Sequence, residues 1–343
     1  MFRLSTIYLF LLIISAPLRL LGQAEIKLID SSKADCSFRG LSVVTDKIVW
    51  VSGSKGTVGR SVDGGQTWTW TKVPGFEKSD FRDIEAFDKN RAVIMASGTP
   101  AIILKTVDGG QTWKLVFKDD RPEMFLNAMD FWDKKRGMMV GDPINGHFVL
   151  LETKDGGDSW KLWDTSLCPI ALDSEAVFAA SGTSLRFFRD KAKIAFVTGG
   201  KYSRVVLYQT CPQFTVSAFL PMTNGKPSQG TFSFAINKKG NLVYVGGDYS
   251  NDTSQQQTFF YIDEKANEIF VKAPSGYRSG VEFLSGNKVR VISSGTKGVD
   301  LCNYKSCGSH NCWECNQVST SGFHAVCKAK KGKAVFLAGS KGV

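Results

Sequence analysis

Several features that define other classes of protein are scarce or missing in this sequence. It has only 3 histidines in 343 residues, and no Gly-x-Gly-x-x-Gly motif joins a strand to a helix, as dinucleotide binding requires. Beyond the N-terminal segment, no apolar run approaches the roughly 20 residues that a transmembrane helix needs. Alanine-rich stretches are also few. These absences argue against a Rossmann-type oxidoreductase, a transmembrane span and a mainly helical fold.

The residues that are present favour a packed β protein with a basic surface. Hydrophobic residues make up 43% of the chain and charged residues 22%, which is typical of a chain with a folded core. The 34 glycines and 24 phenylalanines favour strands and tight turns. The formal net charge of +11 favours an acidic partner or surface, without identifying it.

The N-terminal segment is typical of a secretory signal peptide. Arg3 precedes an apolar run from Ile7 to Ile14, and small residues follow at positions 15, 16, 22 and 24. We therefore predict that residues 1–23 are a cleaved signal peptide and that residues 24–343 are exported, to the periplasm or the medium. Cleavage removes two basic residues and no acidic one, so the mature chain stays strongly positive.

Three octads of nearly identical sequence recur at an almost constant spacing. They occupy residues 61–68, 106–113 and 153–160, and their aspartates, Asp63, Asp108 and Asp155, are 45 and 47 residues apart. An apolar strand and a Gly-rich turn precede each octad, and this prelude recurs four more times after the last octad. A period of this length with strand-like flanks is typical of a β-propeller.

The number of preludes predicts the number of blades. Seven preludes in roughly 320 mature residues leave about 45 residues for each four-stranded antiparallel blade. We therefore predict an all-β fold, a single seven-bladed β-propeller. Because the chain ends soon after the second strand of the last unit, residues Glu25–Ile29 are expected to add its outer strand, so that strands from both termini close the ring.

The octads are predicted to form the turns between the third and fourth strands of their blades. Asp-Gly-Gly supplies positive φ angles, and the aspartate accepts hydrogen bonds from turn amides. The closing tryptophans are large enough to wedge between blades; they are Trp68, Trp113 and Trp160. Calcium binding is the alternative, but the octads lack the alternating acids of a calcium loop. We predict no bound metal and no cofactor.

The octads resemble the Asp-box, or BNR, repeats of sialidases, sortilin-like receptors and photosystem II assembly factors. Across the mature chain the sequence is most similar to the photosystem II stability/assembly factor-like propellers of non-photosynthetic bacteria. The segments that carry this resemblance are 37–42, 129–132, 141–143, 146–148, 175–182, 246–249, 277–281 and 322–324. The resemblance implies a propeller that binds other proteins and has no established reaction. In the sixth unit, a Cys-rich stretch at 303–313 replaces the expected octad.

Propeller connectivity predicts where the basic residues meet. The starts of the inner strands and the turns between second and third strands share the face opposite the octads. Arginine at such starts suits bidentate recognition of carboxylates or phosphates, whereas the alternative is an ion pair that cements adjacent blades. The predicted binding residues are Arg39, Arg82, Asp142, Glu175, Arg186, Asp248, Tyr249, Arg278 and His324, with turn lysines at Lys55, Lys201, Lys297 and Lys341.

Two functional hypotheses follow from this arrangement. The leading one is a monomeric, non-enzymatic binding or assembly-factor-like propeller whose Arg/Lys-rich rim captures an acidic protein segment or another anion. The alternative is a sialidase-like glycoside hydrolase acting on a carboxylated sugar, with three arginines (Arg39, Arg82, Arg278), a tyrosine and carboxylates. The residues after Arg39 depart from the sialidase signature, so we assign no catalytic residue. No nucleic-acid-binding module is present, and nucleic acid is not an expected partner.

Eight cysteines in an exported chain favour disulfides over metal ligation. Four of them cluster in the altered sixth unit, at spacings that match no standard zinc site, and we predict one or two disulfides there. These four are Cys302, Cys307, Cys312 and Cys315. A bridge between Cys36 and Cys327 would lock the closure of the ring, while Cys168 and Cys211 either pair or remain free.

Overall fold

The computed structural model describes residues 26–343 apart from residues 34, 189–192, 211–212, 272–274, 287, 308–309 and 341. The predicted signal peptide, residues 1–23, lies outside the described residues, as do Glu25, Cys211 and Lys341. Within the part of the chain that is described, no helix has the length and apolar character needed to cross a membrane.

The first three sheets are four-stranded antiparallel meanders, in which each strand pairs with the next along the chain. Blade 1 contains β1 (Phe38–Val43), β2 (Val49–Gly53), β3 (Thr57–Ser61) and β4 (Thr69–Lys72). Blade 2 contains β5 (Phe81–Ala86), β6 (Ala92–Ala96), β7 (Ala101–Thr106) and β8 (Lys114–Asp119). Blade 3 contains β9 (Leu126–Phe131), β10 (Gly137–Ile144), β11 (His147–Thr153) and β12 (Lys161–Leu162). Each octad therefore lies between the third and fourth strands of its blade.

The next two sheets are interleaved in sequence. Blade 4 contains β14 (Leu185–Phe188), β15 (Lys193–Val197), β17 (Arg204–Thr210) and β18 (Gln213–Phe219). Blade 5 is a six-stranded sheet of β13 (Glu175–Ala176), β16 (Gly199–Gly200), β19 (Lys226–Ile236), β20 (Leu242–Asp248), β21 (Phe259–Ile262) and β22 (Glu268–Phe270). Two 3₁₀ helices, η1 (Thr165–Leu167) and η2 (Tyr249–Asn251), lie in the connections.

The last two sheets differ in size. Blade 6 contains β23 (Gly280–Phe283), β24 (Arg290–Gly295), β25 (Gly298–Cys307) and β26 (His310–Ser319). The final sheet is a two-stranded hairpin, the closing hairpin, of β27 (Ala325–Lys328) and β28 (Val335–Ala338).

The prediction of seven four-stranded blades is wrong: the described residues form six blades and a seventh unit of two strands, the closing hairpin. Residues 26–31 adopt no strand, so they do not add the predicted outer strand to this unit. Closure uses isolated backbone hydrogen bonds instead. The amides of Ile29 and Asp30 donate to the carbonyl oxygen of Val343, at 3.0 and 3.3 Å, and the Val343 amide donates to Asp30.

Inner strands pack side by side around the ring in the order β1, β5, β9, β14, β19, β23 and β27, with β27 returning to β1. Side chains join several neighbours by accepting a backbone N–H of the next inner strand. Ser42 accepts from Ala86 at 3.0 Å and Asp83 from Met129 at 2.7 Å. Asp130 accepts from Phe187 at 2.8 Å. These bonds fix the positions of blades 1 to 4 relative to one another around the channel.

The hydrophobic core is divided into layers between adjacent blades. Trp50 and Val58 of blade 1, for example, pack with Ile94 and Leu104 of blade 2. The closing hairpin joins blade 1 in the same manner, because Phe336 packs in one cluster with Phe38. Each blade therefore buries both of its faces without a separate central core.

The prediction of disulfides in the sixth unit is confirmed. Cys302 bonds to Cys315 and Cys307 to Cys312, both across the β25–β26 hairpin. The suggested bridge between Cys36 and Cys327 is not formed, and both are free, as is Cys168. Cys36 is instead within 3.3 Å of the Thr57 hydroxyl.

Candidate functional site

Three basic side chains meet where inner strands begin, at the end of the channel opposite the octads. Arg39 is the second residue of β1, Arg82 the second of β5, and His324 immediately precedes β27. Burial and the charge of Arg82 lower the pKa of Arg39. Burial, Arg39 and Arg82 lower the pKa of His324 to about 3, so this imidazole is neutral at pH 7. We call these three residues the mouth cluster.

Arg39 differs from the other predicted arginines in what it contacts. Its Nη1 donates to the carbonyl oxygen of Ala180 at 3.4 Å, and among the described residues no carboxylate lies within ion-pair distance of it. Arg82, by contrast, is paired through Nε with Asp80 at 2.7 Å. Arg39 is therefore a partly buried cation, and most of its five N–H donors have no partner in the described part of the chain.

Aromatic rings lie beside the mouth cluster. Phe178 stacks on Phe232 with ring centroids 3.9 Å apart, and Tyr277 meets Phe232 edge-on at 4.8 Å. The ring centroid of Tyr249 lies 6.1 to 6.5 Å from those of the three other rings, and Tyr249 is 50% exposed. The charge of Arg39 acts on the Tyr277 hydroxyl, although burial dominates and raises the pKa of Tyr277. A ligand at the mouth would thus meet a cation and an exposed ring.

Arg278, the third arginine of the sialidase-like set, is inaccessible. Its side chain is fully buried, with Nε donating to Asp300 at 2.7 Å, Nη2 paired with the same carboxylate, and Nη1 donating to the Tyr277 carbonyl. The three arginines of that set therefore do not face a common ligand.

Glu175 is likewise held inside the protein. Its carboxylate pairs with Arg204, with Nε to Oε1 at 2.8 Å and Nη2 to Oε2 at 2.5 Å, and it also accepts from Thr198. Arg204 donates further to Ser217 and to the Ile170 carbonyl. This buried pair joins β13 to β17, and so ties blade 5 to blade 4.

The remaining predicted carboxylates are also hydrogen-bonded within the protein. Asp142 accepts from the Asn127 amide at 2.9 Å and from the Val177 N–H at 3.1 Å, and burial raises its pKa to about 6. Asp248 is buried and accepts from Gln229 and from the Ser250 N–H, both at 2.9 Å. Both side chains organise the backbone near the mouth.

Arg186 lies deeper, at a cavity of about 240 Å³ in the channel. It pairs with Glu282 at 3.0 Å, from blade 4 to blade 6 across the channel. Asp83, Asp130 and Lys328 also line this cavity. Opposite charges are interspersed there, so the channel interior has no single sign of charge.

The three described turn lysines are paired with acidic side chains at the surface. Lys55 lies 3.0 Å from Asp35 and Lys201 lies 3.3 Å from Asp173. Lys297 lies 3.5 Å from Asp252. These pairs reduce the excess positive charge on this face, which leaves Arg39 as the cation without a carboxylate partner among the described members of the predicted set.

Comparison with known proteins supports the same fold. Residues 23–123, less than a third of the chain, match the family of the photosynthesis system II assembly factor YCF48. A solved structure of YCF48 bound to D1 peptide covers 94% of this chain and 97% of its own, with 16% identity and a TM-score of 0.61. YCF48 from Cyanidioschyzon merolae covers 92% and 96%, with 13% identity and a TM-score of 0.51. This chain is similar in fold to YCF48 over more than nine tenths of its length.

Other propellers align as well, so the likeness concerns architecture. The Pan2 WD40 domain of Neurospora crassa covers 91% of this chain and 89% of its own, with 12% identity and a TM-score of 0.56. No curated protein sequence matches the chain. The comparisons therefore establish a β-propeller fold.

The sequence patterns did not point to Phe178, Phe232 or Arg204. Phe232 alternates with Phe234 along β19, a pattern that predicts a strand but does not reveal which ring turns towards the mouth. Phe178 lies outside any strand, between β13 and β14. Arg204 lies in none of the repeated sequence segments, and only the fold brings it into contact with Glu175.

Proposed function

We propose that this chain is a non-enzymatic, protein-binding propeller whose mouth binds an acidic segment of a partner protein. The observation that carries the proposal is Arg39, a partly buried cation with no carboxylate partner among the described residues. A buried charge is costly unless it is paired, and a carboxylate from a ligand would supply that pair.

The surroundings of Arg39 support an anionic ligand over a cationic one. Arg82 lies beside it, paired with Asp80, and the charges of Arg39 and Arg82 both lower the pKa of His324. The half-exposed ring of Tyr249 offers a flat apolar contact next to this charge. Carboxylates hydrogen-bonded to arginine and aromatic contact areas are both frequent anchors of protein interfaces.

The comparisons support a peptide as the class of ligand. YCF48, whose fold this chain shares, has been solved bound to D1 peptide. Peptide binding is therefore compatible with this architecture, and the ring of inner strands offers an opening at which a chain segment can enter. The acidic character of the segment is inferred from Arg39 and its neighbours alone.

Binding of a fluorescent hexaglutamate peptide to the mature protein tests the proposal. We expect Arg39→Ala to weaken binding roughly 10- to 100-fold, because a hydrogen bond to a charged group contributes roughly 1.5–3 kcal/mol. Arg136→Ala is the matched control, since Arg136 is exposed, pairs with Asp133 and lies at the octad end of the ring. The Arg136→Ala variant should bind hexaglutamate with the same affinity as the wild type.

Two results would contradict the proposal. If wild type and Arg39→Ala bound hexaglutamate with equal affinity, Arg39 would not be part of the binding site. Equal binding of a hexaserine peptide would show that acidic character is not recognised, although protein binding as such would stand. Affinity that falls with added salt is expected for the acidic peptide, because salt screens charge attraction.

A further inference from the structure

The turns between the first and second strands of each unit, here called the inner turns, carry exposed lysines. The inner turn of blade 4 lies outside the described residues, and each of the other six contains at least one exposed lysine. Among the described residues, no acidic side chain lies within ion-pair distance of the following six. We call them the lysine ring: Lys47, Lys89, Lys134, Lys238, Lys288 and Lys331.

The lysine ring lies at the octad end of the channel, because the first and third turns of a meander are on the same side. Hydrogen bonds join the two kinds of turn in blades 1 to 3. The first glycine of each octad donates its N–H to the carbonyl of a residue in the inner turn of the same blade, at 2.7 to 2.9 Å: Lys47, Asn90 and Lys135. The backbone that carries these lysines is therefore held in place.

The acidic side chains of the inner turns are bound by arginines or by backbone N–H groups. In blades 2 and 3 the aspartate pairs at 2.7 Å with the arginine three residues later: Asp88 with Arg91 and Asp133 with Arg136. Asp46 accepts two N–H groups of the closing hairpin, at 2.7 and 2.8 Å. The exposed acids Asp263 and Glu264 lie farther out, between β21 and β22. Unpaired positive charge is thus concentrated around the channel at this end, where it attracts anions.

Apolar groups accompany this charge. Val62 and Val107, the second residues of the first two octads, are 46% and 62% exposed. A cavity of about 390 Å³ also lies among the inner turns, and its three acidic residues are ion-paired with basic side chains. Apolar and basic side chains line it together, among them Ile48, Phe87, Trp132, Lys134 and Lys331. The octad end therefore combines free positive charge with apolar surface.

We propose that the octad end of the ring docks on an anionic phospholipid surface. The lysine ring then lies at the level of the headgroup phosphates, and Val62 and Val107 enter the boundary between headgroups and acyl chains. Peripheral proteins bind membranes through this combination of basic charge and a modest apolar area. The mouth cluster, at the other end of the channel, remains accessible in this orientation.

The chemistry of this surface favours lipid over nucleic acid or an acidic protein segment. A basic surface binds nucleic acid through the phosphates, and exposed valines add nothing to such binding. Recognition of a single acidic segment suits arginines held at fixed positions, whereas exposed lysines are flexible point charges. A fluid array of phosphate headgroups requires no fixed geometry, and the lipid beneath it accommodates apolar side chains.

Cosedimentation of the mature protein with vesicles tests this surface. We expect the wild type to bind vesicles of phosphatidylcholine with about 30% phosphatidylglycerol, to dissociate from them as salt is added, and not to bind phosphatidylcholine alone. Lys89→Ala/Lys134→Ala/Lys331→Ala should weaken binding roughly 100-fold, because each lysine near an anionic surface contributes roughly fivefold. The matched control, Lys72→Ala/Lys78→Ala/Lys226→Ala, removes the same charge from exposed lysines at the mouth end and should leave binding unchanged.

A variant that binds more tightly checks the apolar contribution independently of folding. Val62→Phe/Val107→Phe should strengthen binding to the anionic vesicles at least about tenfold, because larger apolar side chains remove more surface from water. Ile170→Phe/Val216→Phe enlarges two other exposed side chains, away from the octads, and should have no effect. Arg39→Ala should bind the vesicles as the wild type does, which separates this test from that of the mouth.

Four results would overturn the proposal. The first is a wild type that does not bind anionic vesicles. The second is an equal loss of binding in the two lysine variants, which would show that net charge alone is responsible. The third is unchanged binding of Val62→Phe/Val107→Phe, which would show that the octads do not reach the lipid. The fourth is tighter binding of a DNA duplex than of vesicles, compared per phosphate, which would assign the lysine ring to nucleic acid.

Discussion

Asp83 shows how one buried carboxylate orders the inner strands. It is 5% exposed, and it accepts the Ile84 N–H at 2.8 Å and the Met129 N–H of blade 3 at 2.7 Å. Gly182, at φ 69°, packs against this carboxylate, and a Cβ atom at that position would overlap it. Glycine is therefore required there for both backbone conformation and space.

The ionisation of Asp83 should control stability near neutral pH. Burial raises its pKa to about 8, despite the two N–H donors; Glu85 acts in the same direction as burial, and Arg186 opposes it. Between its ordinary value of 3.8 and about 8, the folded protein binds more protons than the unfolded chain. The free energy of unfolding should therefore fall as pH rises through this window, with a slope approaching ~1.4 kcal/mol per pH unit.

Urea unfolding of wild type and Asp83→Asn between about pH 5 and 8 measures this effect. The asparagine variant cannot ionise at this position, so the difference between the two proteins isolates Asp83. We expect the stability of the wild type to decline relative to the variant as pH rises. If the free energies of unfolding of wild type and Asp83→Asn changed in parallel with pH, Asp83 would already be ionised at the lower end of this range.

At the scale of the element, the first residue of each octad takes part with the aspartate in the hydrogen bonds that hold the turn. Ser61, Thr106 and Thr153 are buried, and each hydroxyl accepts a glycine N–H at 2.8 to 3.0 Å while donating to the octad aspartate. Hydrogen bonds from Thr112 lower the pKa of Asp108 to about 2. The turn is thus a network in which hydroxyl and carboxylate act together.

Removing the buried hydroxyl of Thr106 should lower the free energy of unfolding more than removing the exposed hydroxyl of Thr112. Thr106→Val keeps the shape but leaves the Gly110 N–H without its acceptor, at a cost of roughly 1–3 kcal/mol. Thr112→Val is the matched control, because its hydroxyl is exposed and donates only to Asp108. If urea unfolding showed the same decrease in the free energy of unfolding for both variants, the buried hydroxyl would not be the more important of the two.

Blade 6 stabilises the corresponding hairpin by covalent chemistry. Where the octad is missing, Cys302–Cys315 and Cys307–Cys312 join β25 to β26. Trp313 of this hairpin packs against Tyr261 of blade 5, with ring centroids 4.9 Å apart. A tryptophan therefore lies between blades here too, although the octad sequence is absent.

At the scale of the whole molecule, stability depends on closing the ring with a hairpin in place of a blade. The amides of Lys330 and Lys331 donate to the carbonyls of Val43 and Val44 at 2.9 and 3.1 Å. Lys330 also pairs with Glu85 of blade 2. The closing hairpin is thus attached to blades 1 and 2 by backbone and charge, and to blade 1 by apolar packing.

Phe336 is the side chain through which closure can be tested. It is 6% exposed and packs in the cluster shared by β28 and blade 1. We expect Phe336→Ala to lower the free energy of unfolding by roughly 3–5 kcal/mol, the usual effect of truncating a buried phenylalanine. Leu115→Ala, on exposed β8, should change it by less than ~0.5 kcal/mol. A loss for Phe336→Ala no greater than this control would show that the hairpin does not close the ring.

Much of the local structure follows from the repeats. The period of the octads predicted the propeller, the strand–turn preludes predicted the meanders, and the cysteine cluster predicted disulfides in the sixth unit. The number of blades did not follow, because a prelude marks only the second strand of a unit and the turn after it. The pattern at Ala334–Leu337 is the same as in the complete blades, and it does not show whether third and fourth strands pair with it.

The candidate site divides in the same way. The sequence by itself determined that arginines begin several inner strands, since repeat position and residue type are both readable from it. Only the tertiary structure decided which of them pair at long range: Arg278 pairs with Asp300 and Arg186 with Glu282, while Arg39 has no carboxylate partner among the described residues. The physical reason is that charge pairing depends on distance and burial between residues far apart in the chain, and a repeat pattern contains neither.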